Sequence, residues 1–262
     1  MIKSTRKVLS EIRSNGYCTV QGVFSKQFCL DKISKLENIL KKLKNKNKYF
    51  GSNNNQVIYN YFYHDISLIK LVHNKYIDKI MKNLIDDNYV LISPSARNPR
   101  MVSDKKLSKK TSGFGWHVDS KVIEKKSRAL IKPSVNFFAI IALEDFTEKN
   151  ASTEYVIKSH KLYRKPENRK KKLKSKFMRA KAGSIIFFDT ALWHQVGKPS
   201  KFSRWSIFNM YGPWYMKPYF RFTDGLSSKL IKKLSKKEKK ILHFNSIPPK
   251  NSNGVLTTLK TL

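Results

Sequence analysis

Acidic residues are scarce in this chain: 18 Asp and Glu stand against 54 Lys and Arg, a formal charge of +36. So basic a balance raises binding to a polyanion or an anionic membrane surface as a function class. The excess is mostly lysine, however, and it comes with many Asn, Ile, Phe and Tyr, residues whose codons are rich in A and T. It is also spread along the whole chain, so a biased genome accounts for it without a polyanionic partner. Cysteine is scarcer still. Cys18 and Cys29 are too few for a disulfide framework, which fits a reducing compartment. Long apolar runs are missing as well: the start, Met1 to Lys7, leads into an amphipathic segment, and nothing approaches bilayer-crossing length. A cytoplasmic protein without a membrane partner is expected. Aromatics, finally, are absent from the most basic stretch, 161–181 with Arg169-Lys170-Lys171-Lys172, apart from Tyr163 and Phe177 near its ends. Stacking on bases needs interleaved rings, so this stretch reads as a solvated loop, and nucleic acid is not an expected partner.

What is present suffices for one large domain: 262 residues, 40% of them hydrophobic and 12% aromatic. The periodicity of the apolar residues divides it into a helical part over 1–88, a β-rich core over 89–222 and a helical cover with a tail over 223–262. Val8, Leu9 and Ile12 share one face of a helix over 4–13 that Gly16 stops. Tyr17 to Val20 alternates as a short strand, and Ser25 is placed to cap a helix carrying Phe28, Cys29, Ile33, Leu36, Leu40 and Leu43 on one stripe. Residues 45–56 read as a loop, followed by helices near 65–73 and 75–85. His64 and His73 lie in that helical part and read as surface or interhelix residues. From Leu91 the period shifts towards two, with strands expected at 89–97, 113–119, 134–143, 153–157, 184–188, 192–196 and 203–211. Short strands bounded by Gly, Pro and Asn clusters imply a mainly β fold with flanking helices, a double-stranded β-helix or cupin-like jelly roll. Leu226, Leu230, Ile231 and Leu234 suggest a further helix, and Ser235 with Glu238 forms a capping box ahead of Ile241, Leu242 and Phe244. These elements are expected to cover one end of the barrel.

Within the core, His117 and Asp119 stand two apart in an expected strand, so both side chains would point to one face. A second histidine, His194, follows an apolar strand and a bend. Two imidazoles and one carboxylate with open positions are the donor set of non-haem Fe(II) oxygenases. Ten residues after His194, Arg204 interrupts an apolar strand. An arginine pointing into a barrel needs an anionic partner, and its planar fork suits a carboxylate.

Five motifs in order then make a specific likeness. They are Asn15-Gly16-Tyr17 with Val23-Phe24-Ser25, His117-Val118-Asp119, Ala142 to Asn150, Ser159-His160-Lys161, and Ala182 to Phe188 leading to His194 and Arg204. Over almost its full length the chain resembles the phytanoyl-CoA dioxygenase family of Fe(II)- and 2-oxoglutarate-dependent oxygenases. The resemblance implies that His117, Asp119 and His194 hold Fe(II) and that Arg204 anchors the distal carboxylate of 2-oxoglutarate. It also implies that Ser206 adds a hydrogen bond there, that Asn136 and Thr153 line the pocket, and that His160 is structural. O2 is the oxidant, succinate and CO2 are released, and the substrate is a small or carrier-bound metabolite, with the basic surface favouring an anionic one. Related iron halogenases carry a small residue at the position of Asp119, so hydroxylation is the expected outcome. Two departures stand out: Ile157-Lys158 replaces the family's Pro-Gly, and Ala151 replaces a common Gly, so a differently shaped loop is expected at the barrel mouth.

Two other classes compete. One is a catalytically inactive jelly roll binding nucleic acid or another polyanion, whose mark would be steep salt dependence. The other is a Zn-dependent hydrolase, which the carboxylate-containing triad and downstream arginine suit less well. Oligomeric state is left open by the sequence.

Overall fold

A computed structural model of the chain describes residues 3–46, 55–100, 115–120, 126, 128–167, 173–198 and 200–246. The amino-terminal helices form where the caps require. Helix α1, Thr5–Asn15, starts on Ser4, whose hydroxyl accepts from the Lys7 amide. It ends at Gly16, whose φ of 86° and amide bond to the Ile12 carbonyl close the last turn. A β-carbon there would meet the His160 ring and Leu192 at 2.7 Å, so glycine also permits the close approach of α1 to the site's back wall. Helix α2, Lys26–Asn45, is capped by Ser25, and α3, Lys75–Leu84, by Asn74.

The strands are β1 Tyr17–Val20, β2 Gln56–Tyr59, β3 Val90–Asn98, β4 Phe137–Ala142, β5 Thr153–Tyr155, β6 Lys176–Phe177, β7 Ile185–Asp189, β8 His194–Val196 and β9 Ser206–Gly212. They form an antiparallel six-stranded sheet in the order β1-β7-β4-β9-β3-β2 and a three-stranded sheet in the order β6-β5-β8. Each central strand is buried on both faces, so β4 and the first four residues of β7 read as unbroken apolar runs, while β9 buries Asn209 in its middle with bonds to Tyr61 and the Leu71 carbonyl. Alternate residues serve two cores. Ala139, Ile141, Ile185, Phe187, Ile207 and Tyr211 pack under the helices with Ile12, Leu36, Ile77 and Ile80. Phe138, Ile140, Ile186, Phe188, Phe208 and Met210 face the smaller sheet with Tyr155 and Met178. The two facing sheets with helices outside the larger one are the jelly roll that the sequence implies.

Several expectations need correction. No strand covers the described part of 113–119: His117 makes only an isolated bridge with His194. The helix expected near 65–73 is a 3-10 turn over Ile66–Leu71, with Asp65 capping the Ser67 amide. Strand β2 begins at the end of an expected loop, and β6 lies inside another; both are short edge strands with little apolar signal. The carboxyl-terminal helices are three short ones, α4 Phe222–Gly225, α5 Ser228–Ile231 and α6 Lys236–Ile241. Their Leu226, Leu234, Ile241 and Leu242 join the helix-side core, so this segment covers the outer face of the large sheet and not a barrel end. The capping box is present as read: Ser235 accepts from the Glu238 amide at 3.2 Å, and the Ser235 amide donates to the Glu238 carboxylate at 2.8 Å. Such a cap is worth about 1 kcal/mol. Arg169-Lys170-Lys171-Lys172 and most of loop 98–112 lie outside the described residues.

Candidate metal and oxoacid site

The site is built on β8, on the segment beside it and on the inner faces of β3 and β9. His117 and His194 exchange backbone hydrogen bonds of 3.0 Å in both directions, which sets their rings 4.3 Å apart, centroid to centroid. Just after the bridge the chain turns around Thr190. The amides of Asp119 and Ser120 both donate to the Thr190 carbonyl, at 2.9 and 3.1 Å, and the Ser120 and Thr190 hydroxyls meet at 2.7 Å. Thr190 in turn donates to the Asn136 carbonyl at 2.9 Å. The carboxylate is therefore aimed by a hydrogen-bonded corner and not by strand alternation.

Each imidazole is oriented by a backbone carbonyl. His117 Nδ1 lies 2.7 Å from the Gly115 oxygen and His194 Nδ1 2.8 Å from the Leu192 oxygen. A carbonyl only accepts, so each Nδ1 carries the proton and the other ring nitrogen of a neutral imidazole keeps its lone pair. His194 is further wedged by the Phe188 ring, edge to face at 5.2 Å. One ligand atom from each of His117, Asp119 and His194 lies within 4.8 Å of the others. His194 Nε2 sits 3.2 Å from Asp119 Oδ2, a separation that either a shared proton or a shared metal ion bridges. Burial, then the neighbouring His194, pushes the His117 imidazole down to about 4, so it is neutral and able to ligate at pH 7. Burial by itself would raise the Asp119 carboxyl, but His194, His117 and Arg97 outweigh it and hold the group at about 2. Two imidazole nitrogen donors and an anionic oxygen donor suit a divalent transition metal.

Arg204, 2% exposed, stands just before β9. Its Nε donates to the Asn150 carbonyl at 3.1 Å, an Nη to Ser206 Oγ at 3.3 Å, and its guanidinium lies 4.2 Å from the Phe146 ring centre. Among the described residues no carboxylate lies within ion-pair distance of it. Burial and the nearby Arg97 push this guanidinium down to about 9, still protonated at neutral pH, with Glu144 opposing. A buried cation without a carboxylate, opening into the same cavity as the triad, is the receptor half of an anion site.

The cavity has a volume of about 350 Å³, and His117, Asp119, His194, Arg204 and Thr153 all line it. Ser206 does not line it but touches the Arg204 side chain from behind. Asn136 does not line it either: its amide points to the Met210 sulfur at 3.3 Å, and its carbonyl takes the Thr190 hydroxyl. It lies behind the corner that aims Asp119. His160 is buried, with Nε2 3.2 Å from the Arg13 carbonyl, away from the triad, in keeping with a structural role. The residues missed are those of the large sheet's inner face, above all Ser93, Ser95 and Arg97 of β3 with Phe138, Phe208 and Met210. A signal for them existed. Ser93, Ser95 and Arg97 alternate along an expected strand, and Arg97 breaks its apolar pattern much as Arg204 does.

The same fold occurs in solved structures of HygX from Streptomyces hygroscopicus. The structure with nickel and 2-oxoglutarate bound is 14% identical with a TM-score of 0.62, and coverage is 83% of this chain and 90% of that one. The forms with iron bound and with nickel, 2-oxoglutarate and hygromycin B bound are each 13% identical at the same coverage, with TM-scores of 0.59 and 0.60. A comparison with curated proteins gives no match. The sequence pattern of Phytanoyl-CoA dioxygenase (PhyH) matches residues 12–204, a span that runs from α1 through the triad to the buried arginine. The chain therefore belongs to the phytanoyl-CoA dioxygenase family.

Proposed function

We propose that the protein is an Fe(II)- and 2-oxoglutarate-dependent oxygenase that hydroxylates a small-molecule or carrier-bound metabolite. One observation carries the reading: two oriented imidazoles and an ionised carboxylate converge in a cavity that also holds a buried arginine with no carboxylate of its own among the described residues. His117, Asp119 and His194 hold the metal, and Arg204 takes the distal carboxylate of the oxoacid, with Ser206 fixing its guanidinium and Thr153 on the cavity wall. Asn136 acts at one remove, through Thr190. With Fe(II), 2-oxoglutarate and O2 bound, such a centre supplies oxidative decarboxylation to succinate and CO2 coupled to hydroxylation of an unactivated carbon.

The chain's own residues decide how that chemistry is held. The backbone bridge between His117 and His194 fixes both rings before any metal arrives, and the Thr190 corner fixes the carboxylate, so little ordering is left for the binding step. Three protein donors leave the remaining positions to cosubstrate and oxidant. Phe138, Phe208 and Met210 exclude water from the rest of the cavity and present an apolar wall to the substrate. Asp119, where a small residue would leave room for halide, supports hydroxylation. HygX structures containing iron, or nickel and 2-oxoglutarate, support the same cofactors here. We read all 262 residues as one catalytic domain, acting in the cytoplasm; no described helix is long and apolar enough to cross a membrane.

The test is anaerobic addition of Fe(II) and 2-oxoglutarate. The wild type should give a weak visible charge-transfer band and, with O2, release succinate, and Asp119→Ala should abolish both. Undiminished succinate release from Asp119→Ala would remove the triad from the mechanism.

A further inference from the structure

The second arginine of the cavity has no task in the reading above. Arg97 lies on β3 at the third of three alternate inward positions, after Ser93 and Ser95, and pairs across the sheet with Ser206 of β9. Its Nε donates to Ser95 Oγ at 3.0 Å, and its guanidinium lies 4.9 Å from the Phe208 ring centre. These contacts hold the group against the wall, and among the described residues no hydrogen bond occupies either Nη nitrogen, which leaves both for a ligand. Among the described residues no carboxylate lies within ion-pair distance of it. It lines the same cavity as His117, Asp119 and Arg204, so both the metal site and the oxoacid anchor lie within reach of its charge.

Charge balance gives this placement a meaning. On the oxygenase reading, on which this inference rests, a divalent metal and Arg204 bring three positive charges, and Asp119 and a dianionic oxoacid bring three negative ones. The site is then neutral, and Arg97 is one cation in excess within a half-buried, largely apolar cavity. An uncompensated cation in such surroundings is costly unless an anion joins it. We propose that Arg97 binds an anionic group of the substrate, a carboxylate or a phosphate, so that the enzyme's substrate is a small organic acid with an apolar body. The two Nη groups fork the anion. Phe138, Phe208 and Met210 take the apolar body, and the cavity's volume suits a metabolite. With the anion held beside the metal, the carbon presented for oxidation lies a short distance from the acid group.

The experiment is a thermal-shift titration of protein loaded with redox-inert Ni(II) and 2-oxoglutarate, using acetate and inorganic phosphate as probes and chloride at equal ionic strength as control. Wild type, Arg97→Gln, Arg97→Lys and Arg204→Gln are compared. The wild type should show saturable stabilisation by one probe beyond chloride, acetate marking a carboxylate substrate and phosphate a phosphorylated one. Arg97→Gln should lose that increment and Arg97→Lys keep part of it. The 2-oxoglutarate half-saturation of Arg97→Gln should stay within about threefold of wild type, whereas Arg204→Gln should raise it about tenfold or more. Equal anion responses in wild type and Arg97→Gln overturn the inference, as does a loss of 2-oxoglutarate affinity in Arg97→Gln matching that of Arg204→Gln, which would assign Arg97 to the cosubstrate. No wild-type response to Ni(II) and 2-oxoglutarate would instead remove the oxygenase reading and this inference together.

Discussion

Lys158 and Ala151, at the two positions where the family resemblance leads to an expectation of glycine, both adopt the left-handed backbone that favours glycine, with φ of 58° and 59°. Ser159 Oγ, bound to the Val156 carbonyl and the Trp193 amide, pins the chain beside Lys158 and holds this strained conformation in place. A non-glycine residue in this region costs about 1–2 kcal/mol, part of which glycine gives back as unfolded-state entropy. Lys158 is exposed, so Lys158→Gly should stabilise the protein by about 0.5–1 kcal/mol, read as a higher thermal midpoint; an unchanged or lower midpoint would show the strain is relieved elsewhere. Arg204 makes the opposite kind of case. Its worth lies in what it receives, so Arg204→Gln should raise the 2-oxoglutarate requirement about tenfold or more while Fe(II) binding, followed by equilibrium dialysis, survives. Equal cosubstrate affinity would reassign the oxoacid anchor. His117, Asp119, His194 and Arg204 were legible because each puts a chemically costly group into an apolar context. Asn136 misled for the same reason: a buried polar residue next to a strand satisfies its bonds with Met210 and Thr190 as readily as with a ligand.

At the scale of elements, α3, α6 and the residue that leads into β3 meet on one carboxylate. Asp78 accepts from the Tyr89 hydroxyl at 2.9 Å and lies 3.2 Å from Lys237 Nζ and 3.5 Å from Lys82 Nζ. Burial pushes its carboxyl up, but Tyr89 and the two lysines outweigh burial and hold it below the ordinary value. A carboxyl depressed in the folded state stabilises the fold above its unfolded pKa, and that contribution is lost as pH falls through the folded one. Asp78→Asn should therefore destabilise by about 1–2 kcal/mol at neutral pH, and the difference from wild type should vanish in acid below the usual carboxylate range. A gap in urea midpoints that persists in acid would assign the loss to packing instead. Helix and strand existence followed from periodicity because the central strands and α1 to α3 bury a regular stripe. The 113–119 strand failed for a physical reason: convergence of His117 and Asp119 comes from one backbone bridge to residue 194 and a turn around residue 190, long-range bonds that leave no local pattern. Strands β2 and β6 escaped notice because edge pairing of four and two residues needs little apolar periodicity.

For the molecule as a whole, the cavity is walled by both sheets, so a ligand that fills it ties together the two halves of the jelly roll. Ni(II) with 2-oxoglutarate at a hundredfold excess over Kd should stabilise the global fold by about 2.7 kcal/mol, a rise in Tm of roughly 2–4 °C for each kcal/mol. Failure of the midpoint to move with ligand concentration would mean that the cavity is not the binding site. The formal charge of +36 acts at this scale too, concentrating anions near the surface, while the choice among them falls to the cavity. By itself the sequence determined the β-rich core flanked by helices, the donor types of the triad and the buried arginine, because apolar spacing and the expense of burying charge are local properties of a chain. Only the tertiary structure decided which side chains share the cavity. It brought Arg97 and the serines of β3 inward, sent Asn136 behind the wall and sent the carboxyl-terminal helices to the outer face. Those outcomes depend on strand register, which pairs residues far apart in sequence and turns a side chain to the other face with each single-residue step.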